Sequence, residues 1–287
     1  MQRENFGKLC ASLRQEVFDP RTGRVWSQED LAKACNLGVG TIGQIERGEK
    51  VKLDNEILLS LALAFKMTNI ERQRFFDLAN TCQDSNYVKP KISLETVEYL
   101  KQLQQPFLLH DGLYRAIWMN HAFSEIYGLT QSYLDSIRDS DLTKYHIVRH
   151  IHDPNSPVRE VYKHQIEHIE LNNTLYWKYF SMGHRHNQLF NEIQSSLFES
   201  CPQFVYLWSS FHQQTFNKNI ANLTRQYYSP HPHLGVLRYI GITTQLFKGE
   251  CELFLVTLCP TDEKTLAVFN SLNGYGKGNV IACAPIK

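Results

Sequence analysis

The chain has 287 residues, 43% of them hydrophobic and 12% aromatic, so it carries a sizeable buried core and is not a disordered polymer. Its formal net charge of +1 excludes a broadly polybasic surface, so any nucleic-acid function has to rest on local geometry. Seven widely spaced cysteines without a C-x-x-C pair argue against a disulfide framework and against a cysteine-based zinc site.

Taken in chain order, Phe6, Leu9, Leu13 and Val17 fall on one face of a first helix. Asp19–Gly23 reads as a loop. Ser27, with Asp30 completing a capping-box pattern, opens a second helix that runs to about Cys35. Asn36-Leu37-Gly38 is a tight break, and a third helix covers Val39 to Arg47 and stops at Gly48, a natural left-handed position. Asp54 caps a fourth helix, Asn55–Lys66, and the pair Thr68/Glu71 caps a fifth that reaches about Ala79. The first domain is therefore residues 1–80, and the polar stretch 81–92, with Lys89-Pro90-Lys91, reads as a linker.

The second domain spans residues 93–273. It opens with a helix over Ser93–Gln104, then places apolar runs on either side of Asp111-Gly112, a hairpin signal. Asn120 caps a helix to Tyr127, and residues 141–225 read as mostly helical, punctuated by Pro154, Pro157 and Pro202. Ile240, Ile242, Thr244 and Leu246 then alternate as in a half-buried strand, and Lys248-Gly249-Glu250 turns the chain. Leu253–Val256 is apolar on both faces, as in an interior strand. Lys264–Leu272 reads as a closing helix and residues 274–287 as a glycine-rich tail. The fold class is α+β in two domains: an all-α five-helix bundle, then an antiparallel sheet with a helical insertion.

Residues 27–48 meet the physical needs of a DNA-reading helix pair. Leu31, Ala32, Leu37, Ile42 and Ile45 form an inner seam, while Gly40, Gln44 and Arg47 share the outer face of the third helix. The N–H groups opening the second helix, with Gln28, are placed for a phosphate. Ser27-Gln28-Glu29-Asp30-Leu31-Ala32, Thr41-Ile42 and Ile45-Glu46-Arg47-Gly48 resemble the helix-turn-helix of Xre/Cro-type repressors, a lambda-repressor-like bundle. The resemblance implies double-stranded DNA as partner, with Gln28 on the backbone and Val39, Gly40, Gly43 and Gln44 facing the groove. Thr41 and Arg47 complete the candidate DNA-binding set. Each glycine costs the helix ~1 kcal/mol relative to alanine and offers no side chain to a base. Gln44 is then the principal reader, with adenine as its natural partner, and Val39 suits a thymine methyl. So few base contacts per half-site favour a homodimer. Gly38-Val39-Gly40-Thr41-Ile42-Gly43 also spells G-x-G-x-x-G, but a charged amphipathic helix precedes it where a dinucleotide site needs a strand.

The second domain carries its own resemblance. Leu108-Leu109-His110, Arg115–Phe123, His152-Asp153-Pro154, Cys201–Trp208 with His212, and His231-Pro232 leading to Gly235 resemble, in that order, the ligand-binding domain of MmyB-like regulators, which has a PAS-like fold. The likeness spans about residues 95–272. It implies a small, largely apolar and fatty-acid-like ligand; no other cofactor is expected. Trp118, Phe123, Tyr127, Phe180, Phe204, Trp208, Tyr239 and Phe254 are the aromatics that would wall its pocket, ordinary core packing being the competing reading. His146/His150 and His164/His168 each share a helical face, but neither pair has the glutamate or cysteine partners of a metal site, so surface or core positions are expected. No G-x-S-x-G or P-loop occurs, and no enzyme is expected. Met1–Asn5 lacks the apolar segment of a signal peptide, and no uncharged apolar run reaches the ~18 residues of a membrane span, so a cytoplasmic setting without membrane contact is expected. The reading is thus a ligand-responsive DNA-binding transcription regulator. Its rivals are a protein-interaction adaptor built on a similar helical bundle, and an enzyme built on residues 95–272.

Overall fold

The computed structural model describes residues 4–50, 52–81, 92–138, 141–210, 225–247, 252–274 and 280–282. The expected linker, beyond its first and last residues, and the Lys248-Gly249-Glu250 turn lie outside the described residues. In chain order the elements are α1 (Glu4–Glu16), β1 (Phe18–Asp19), β2 (Arg24–Val25), α2 (Gln28–Cys35), α3 (Val39–Glu46), α4 (Asn55–Ala64), α5 (Asn69–Thr81), α6 (Leu94–Gln102), β3 (Phe107–Asp111), β4 (Ala116–Asn120), α7 (His121–Tyr127), α8 (Gln131–Ser136), α9 (Ile147–His152), α10 (Pro157–Val161), α11 (Ile166–Phe180), a 3₁₀ turn (Ser181–His184), α12 (Gln188–Ser200), α13 (Pro202–Ser210), β5 (Arg225–His231), β6 (Gly235–Phe247), β7 (Leu253–Pro260), α14 (Glu263–Gly274) and β8 (Val280–Ala282). No helix among the described residues is long and apolar enough to cross a membrane.

These elements form two compact units that do not follow a single cut in the chain. The first takes its residues from Met1–Tyr87, Lys178–Asn191 and Tyr206–Ala221; the second from Val88–Trp177, Glu192–Val205 and Asn222–Lys287. The segments near residues 180 and 208 therefore belong with the helix-turn-helix, where the linear reading put them in the second domain.

In the first unit, α1–α5 pack around Leu9, Leu13, Leu31, Ile42, Ile45, Leu58, Leu61 and Phe75, and Met182 of the 3₁₀ turn is fully buried in the same cluster. Short helices need defined ends, and the sequence supplies them. Ser27 and Asp30 make a complete capping box at α2, Asp54 caps α4 through Ile57 N, and the Thr68 main-chain N–H and hydroxyl both donate to Glu71 Oε2. The expected loop at Asp19–Gly23 is the turn of a small hairpin, with Phe18 opposite Val25 and Asp19 opposite Arg24.

The second unit is built on a six-stranded antiparallel sheet of order β5-β6-β7-β3-β4-β8. β7 and β3 are interior strands, which is why Leu253–Leu255 and all of Phe107–Asp111 are buried. Successive residues feed opposite faces. Phe107 and Leu109 join Val97 and Leu100 of α6 in one core, while Leu108 joins Phe123, Ile126, Tyr162, Tyr239 and Phe269 in the other. The hairpin at Asp111-Gly112 forms, but the left-handed position is Tyr114 (φ 58°) rather than the glycine. Buried Asp111 makes this possible by accepting from Leu113 N and Arg115 N through Oδ1 and from Arg115 Nε through Oδ2. β5 begins where the stretch expected to be mostly helical ends, and β8 pairs with β4 from within the glycine-rich tail.

Candidate nucleic-acid interface

The turn between α2 and α3 is made by Asn36 at φ 54° and ψ 44°, with Leu37 N donating to Ala32 O at 2.9 Å. α3 starts at Gly38 in extended conformation and ends where Gly48 turns left-handed (φ 72°). Its inner face, Ile42 and Ile45, is buried in the core. A second lock is polar. Glu46 on α3 accepts from Arg14 Nε of α1 at 2.7 Å and Arg14 Nη2 at 3.1 Å, and from Gln28 Nε2 of α2 at 2.9 Å. Arg14 Nη1 also reaches Trp26 O at 2.6 Å. One carboxylate thereby ties α1, α2 and α3 together, with the Arg14 and Glu46 side chains only 13% and 7% exposed. Gly7 of α1 completes the junction, since a Cβ there would lie 2.4 Å from Glu46 O and 2.6 Å from Ile45 O.

The outer face is open. Val39 is 46% exposed, Gly40 and Gln44 are exposed and Thr41 is half-buried. Arg47, also exposed, is paired through Nε and Nη2 with Glu49 Oε1 and Oε2, each at 2.8 Å. Gln28 gives one of its two amide N–H groups to Glu46 and keeps the second, alongside the opening N–H groups of α2, as a candidate phosphate donor. One expectation changes. Gly43 is buried rather than groove-facing, because the side chains of Gln28 and Arg47 converge over it. Gly38–Gly43 follows helix α2 and opens α3, so the glycine pattern has no strand before it.

This arrangement is that of a helix-turn-helix unit, with one helix locked into a bundle and the next left bare on its far side. Residues 23–71 match the family model described as Helix-turn-helix, of Xre/Cro type, and the match supports a DNA-binding transcriptional regulator. No curated protein matches the chain.

The aromatics expected around a ligand do not share one wall. Phe180 and Trp208 lie in the first unit, where the Lys178 ammonium stands 4.6 Å and the Arg185 guanidinium 5.2 Å from the Trp208 ring centre. Trp118 packs in the α6-side core, and Phe123, Tyr127 and Tyr239 pack in the opposite one. Phe254 stacks on His110 with ring centres 5.2 Å apart, and Phe204 meets His152 edge-on at 5.4 Å. The Tyr162 and Tyr239 hydroxyls hydrogen-bond each other at 2.8 Å inside the core. Trp208 also lines an open groove of about 820 Å³ in the first unit, with Val17, Phe18, Trp26 and Phe65. His146 and His150 are buried, while His164 and His168 are exposed; among the described residues no group of three or more side chains is arranged to hold a metal.

Proposed function

We propose that the protein is a sequence-specific transcription regulator that lays α3 in the DNA major groove, binds as a homodimer over two half-sites in the cytoplasm, and responds to a small, largely apolar ligand through its second unit. The observation that carries the DNA half is the exposure of Gln44 on the outer side of an α3 whose inner side is fixed by Ile42, Ile45 and the Arg14–Glu46–Gln28 lock. α3 carries no lysine or arginine before its cap residue Arg47, so base choice falls to the Gln44 amide, which suits adenine N6 and N7. The ligand half is supported by the resemblance of residues 95–272 to MmyB-like domains and by the aromatic interior around Phe123, Tyr127 and Tyr239.

The deciding experiment is a titration of operator and scrambled duplexes followed by fluorescence anisotropy. Gln44→Ala is expected to lose ~1–3 kcal/mol of discrimination while keeping most of its non-specific binding. Unchanged sequence preference would overturn Gln44 as the reader. Affinity that does not fall as salt rises would favour the adaptor instead, since phosphate contacts release counterions. Native mass spectrometry of the freshly purified chain tests the homodimer and the apolar ligand together.

A further inference from the structure

Gly43 invites a role that base reading does not give it. It lies on α3 one turn before Arg47, and side chains on a helix lean back toward its N-terminus. A Cβ at position 43 would stand 3.0 Å from Arg47 Nη1 and 3.6 Å from Gln28 Oε1. The arginine therefore lies back across a bare Cα, beside the side-chain oxygen of Gln28, whose amide nitrogen donates to Glu46. From the other side, Glu49 takes Arg47 Nε and Nη2 at 2.8 Å each, so the guanidinium is gripped at one edge and seated at the other. That pair is more than half exposed on both sides, so it orients the side chain while adding little to its stability. Gly40 differs: a Cβ there would meet nothing within 4 Å.

We propose that Gly43 is a positioning residue, the seat that lets Arg47 lie along α3 as a preset contact for a DNA backbone phosphate. This rests on the DNA reading above and adds a division of labour to it: Gln44 reads bases, while Arg47 on Gly43 fixes the register of α3 against the backbone. An arginine already held in place loses little rotamer freedom on meeting the phosphate. The contact itself carries no sequence information.

The test is a double-mutant cycle on the full chain, with binding to an operator and to an unrelated duplex measured over a range of salt. Gly43→Leu fills the seat with a side chain that cannot replace the lost contact. It is expected to weaken binding about tenfold on both duplexes and to lower the slope of log K against log salt by about 1, as Arg47→Ala should. The double variant is expected to bind no worse than either single one. Gly43→Ala, which asks the guanidinium to give by only a few tenths of an ångström, is expected to melt no lower than wild type and to show a smaller loss of the same kind. Should Gly43→Leu be too unstable to assay, the Gly43→Ala cycle with Arg47→Ala carries the test. Wild-type affinity and salt slope in the Gly43 variants, or a double variant whose loss is the product of the two single losses, would overturn the assignment. A wild-type chain that binds neither duplex overturns the DNA reading itself, and the seat with it.

Discussion

Three glycines in the helix-turn-helix region have the same chemistry and opposite consequences. Gly7 is where α1 comes against the carbonyl end of α3, and the missing Cβ leaves room for Ile45 O and Glu46 O. Gly40 has open space, and Gly43 sits under Arg47. Alanine is the better helix former by ~1 kcal/mol at any interior position. At Gly40 that gain is unopposed, so Gly40→Ala is expected to raise the unfolding free energy by about 1 kcal/mol. At Gly7 the new methyl group must displace main-chain atoms, an overpacking cost of roughly 1–3 kcal/mol or more, so Gly7→Ala is expected to destabilise despite its propensity. Urea denaturation of the two variants checks both signs, and a stabilised Gly7→Ala would refute the close approach of α1 to α3. Gly40 and Gly43 were visible in the sequence as gaps on the recognition helix, but their difference was not. It depends on where the Arg47 and Gln28 side chains turn, and Gly7 carries no local pattern that would mark it out.

At the scale of elements, capped helices were legible and short or distant strands were not. The α2 and α5 boxes and the Asn120 cap of α7 are local chemistry, and they form where the residues indicate. β1 and β2 have two residues each, too few to show a period. β5 contains Pro230 and mostly polar residues, a composition tolerated because it is an edge strand whose proline need not donate to a neighbour. β8 is defined only by its pairing with β4, far away in sequence. The spacing of His146 and His150 fits a surface or a core face equally well; His146 caps α9, His150 lies within it, and both are buried. Burial holds His110 and His150 down at about 4 and His152 at about 3, and pushes His146 lower than an exposed imidazole as well. Both ring nitrogens of His150 lack a hydrogen-bond partner among the described residues. These sites stay neutral in the folded second unit while the unfolded chain takes up protons below about 6.5. Protons therefore favour the unfolded state, so stability is expected to fall as pH drops below about 6.5, the His110 and His150 contributions being complete near 4 and that of His152 near 3. His110 and His150 each contribute roughly 3 kcal/mol across that window. In pH-dependent urea melts His150→Phe should shallow the slope by about one proton, and an unchanged slope would remove His150 from the account.

For the whole molecule the decisive feature is how the first unit closes. The helix-turn-helix match ends at residue 71 and the sequence suggests a boundary near residue 80, yet the unit also takes in Lys178–Asn191. Met182 fills its core, and Arg185, with its side chain 1% exposed, donates to Glu16 Oε2 at 3.1 Å and to Lys178 O at 3.0 Å and stands 3.7 Å from Glu71 Oε1. Burial alone would raise the Glu71 carboxyl, but the Lys178 and Arg185 charges together with the two Thr68 hydrogen bonds outweigh it and hold that group below its ordinary value. Glu71 also caps α5, so one carboxylate joins a local signal that sequence shows to a long-range one that it does not. Without the later segment Glu71 would keep its helix-capping role and lose both cations. Removing one partner of a buried ion pair costs roughly 3–5 kcal/mol, more than replacing the whole pair by apolar groups. Arg185→Ala in the full chain is therefore expected to destabilise the first unit by about that much. A fragment ending near residue 90 is expected to melt below the full chain's first-unit transition and to bind operator DNA more weakly, although it contains every residue of the recognition helix. Circular dichroism melts beside anisotropy titrations compare the two, and a fragment that melts and binds like the full chain would show that the first eighty residues close on their own.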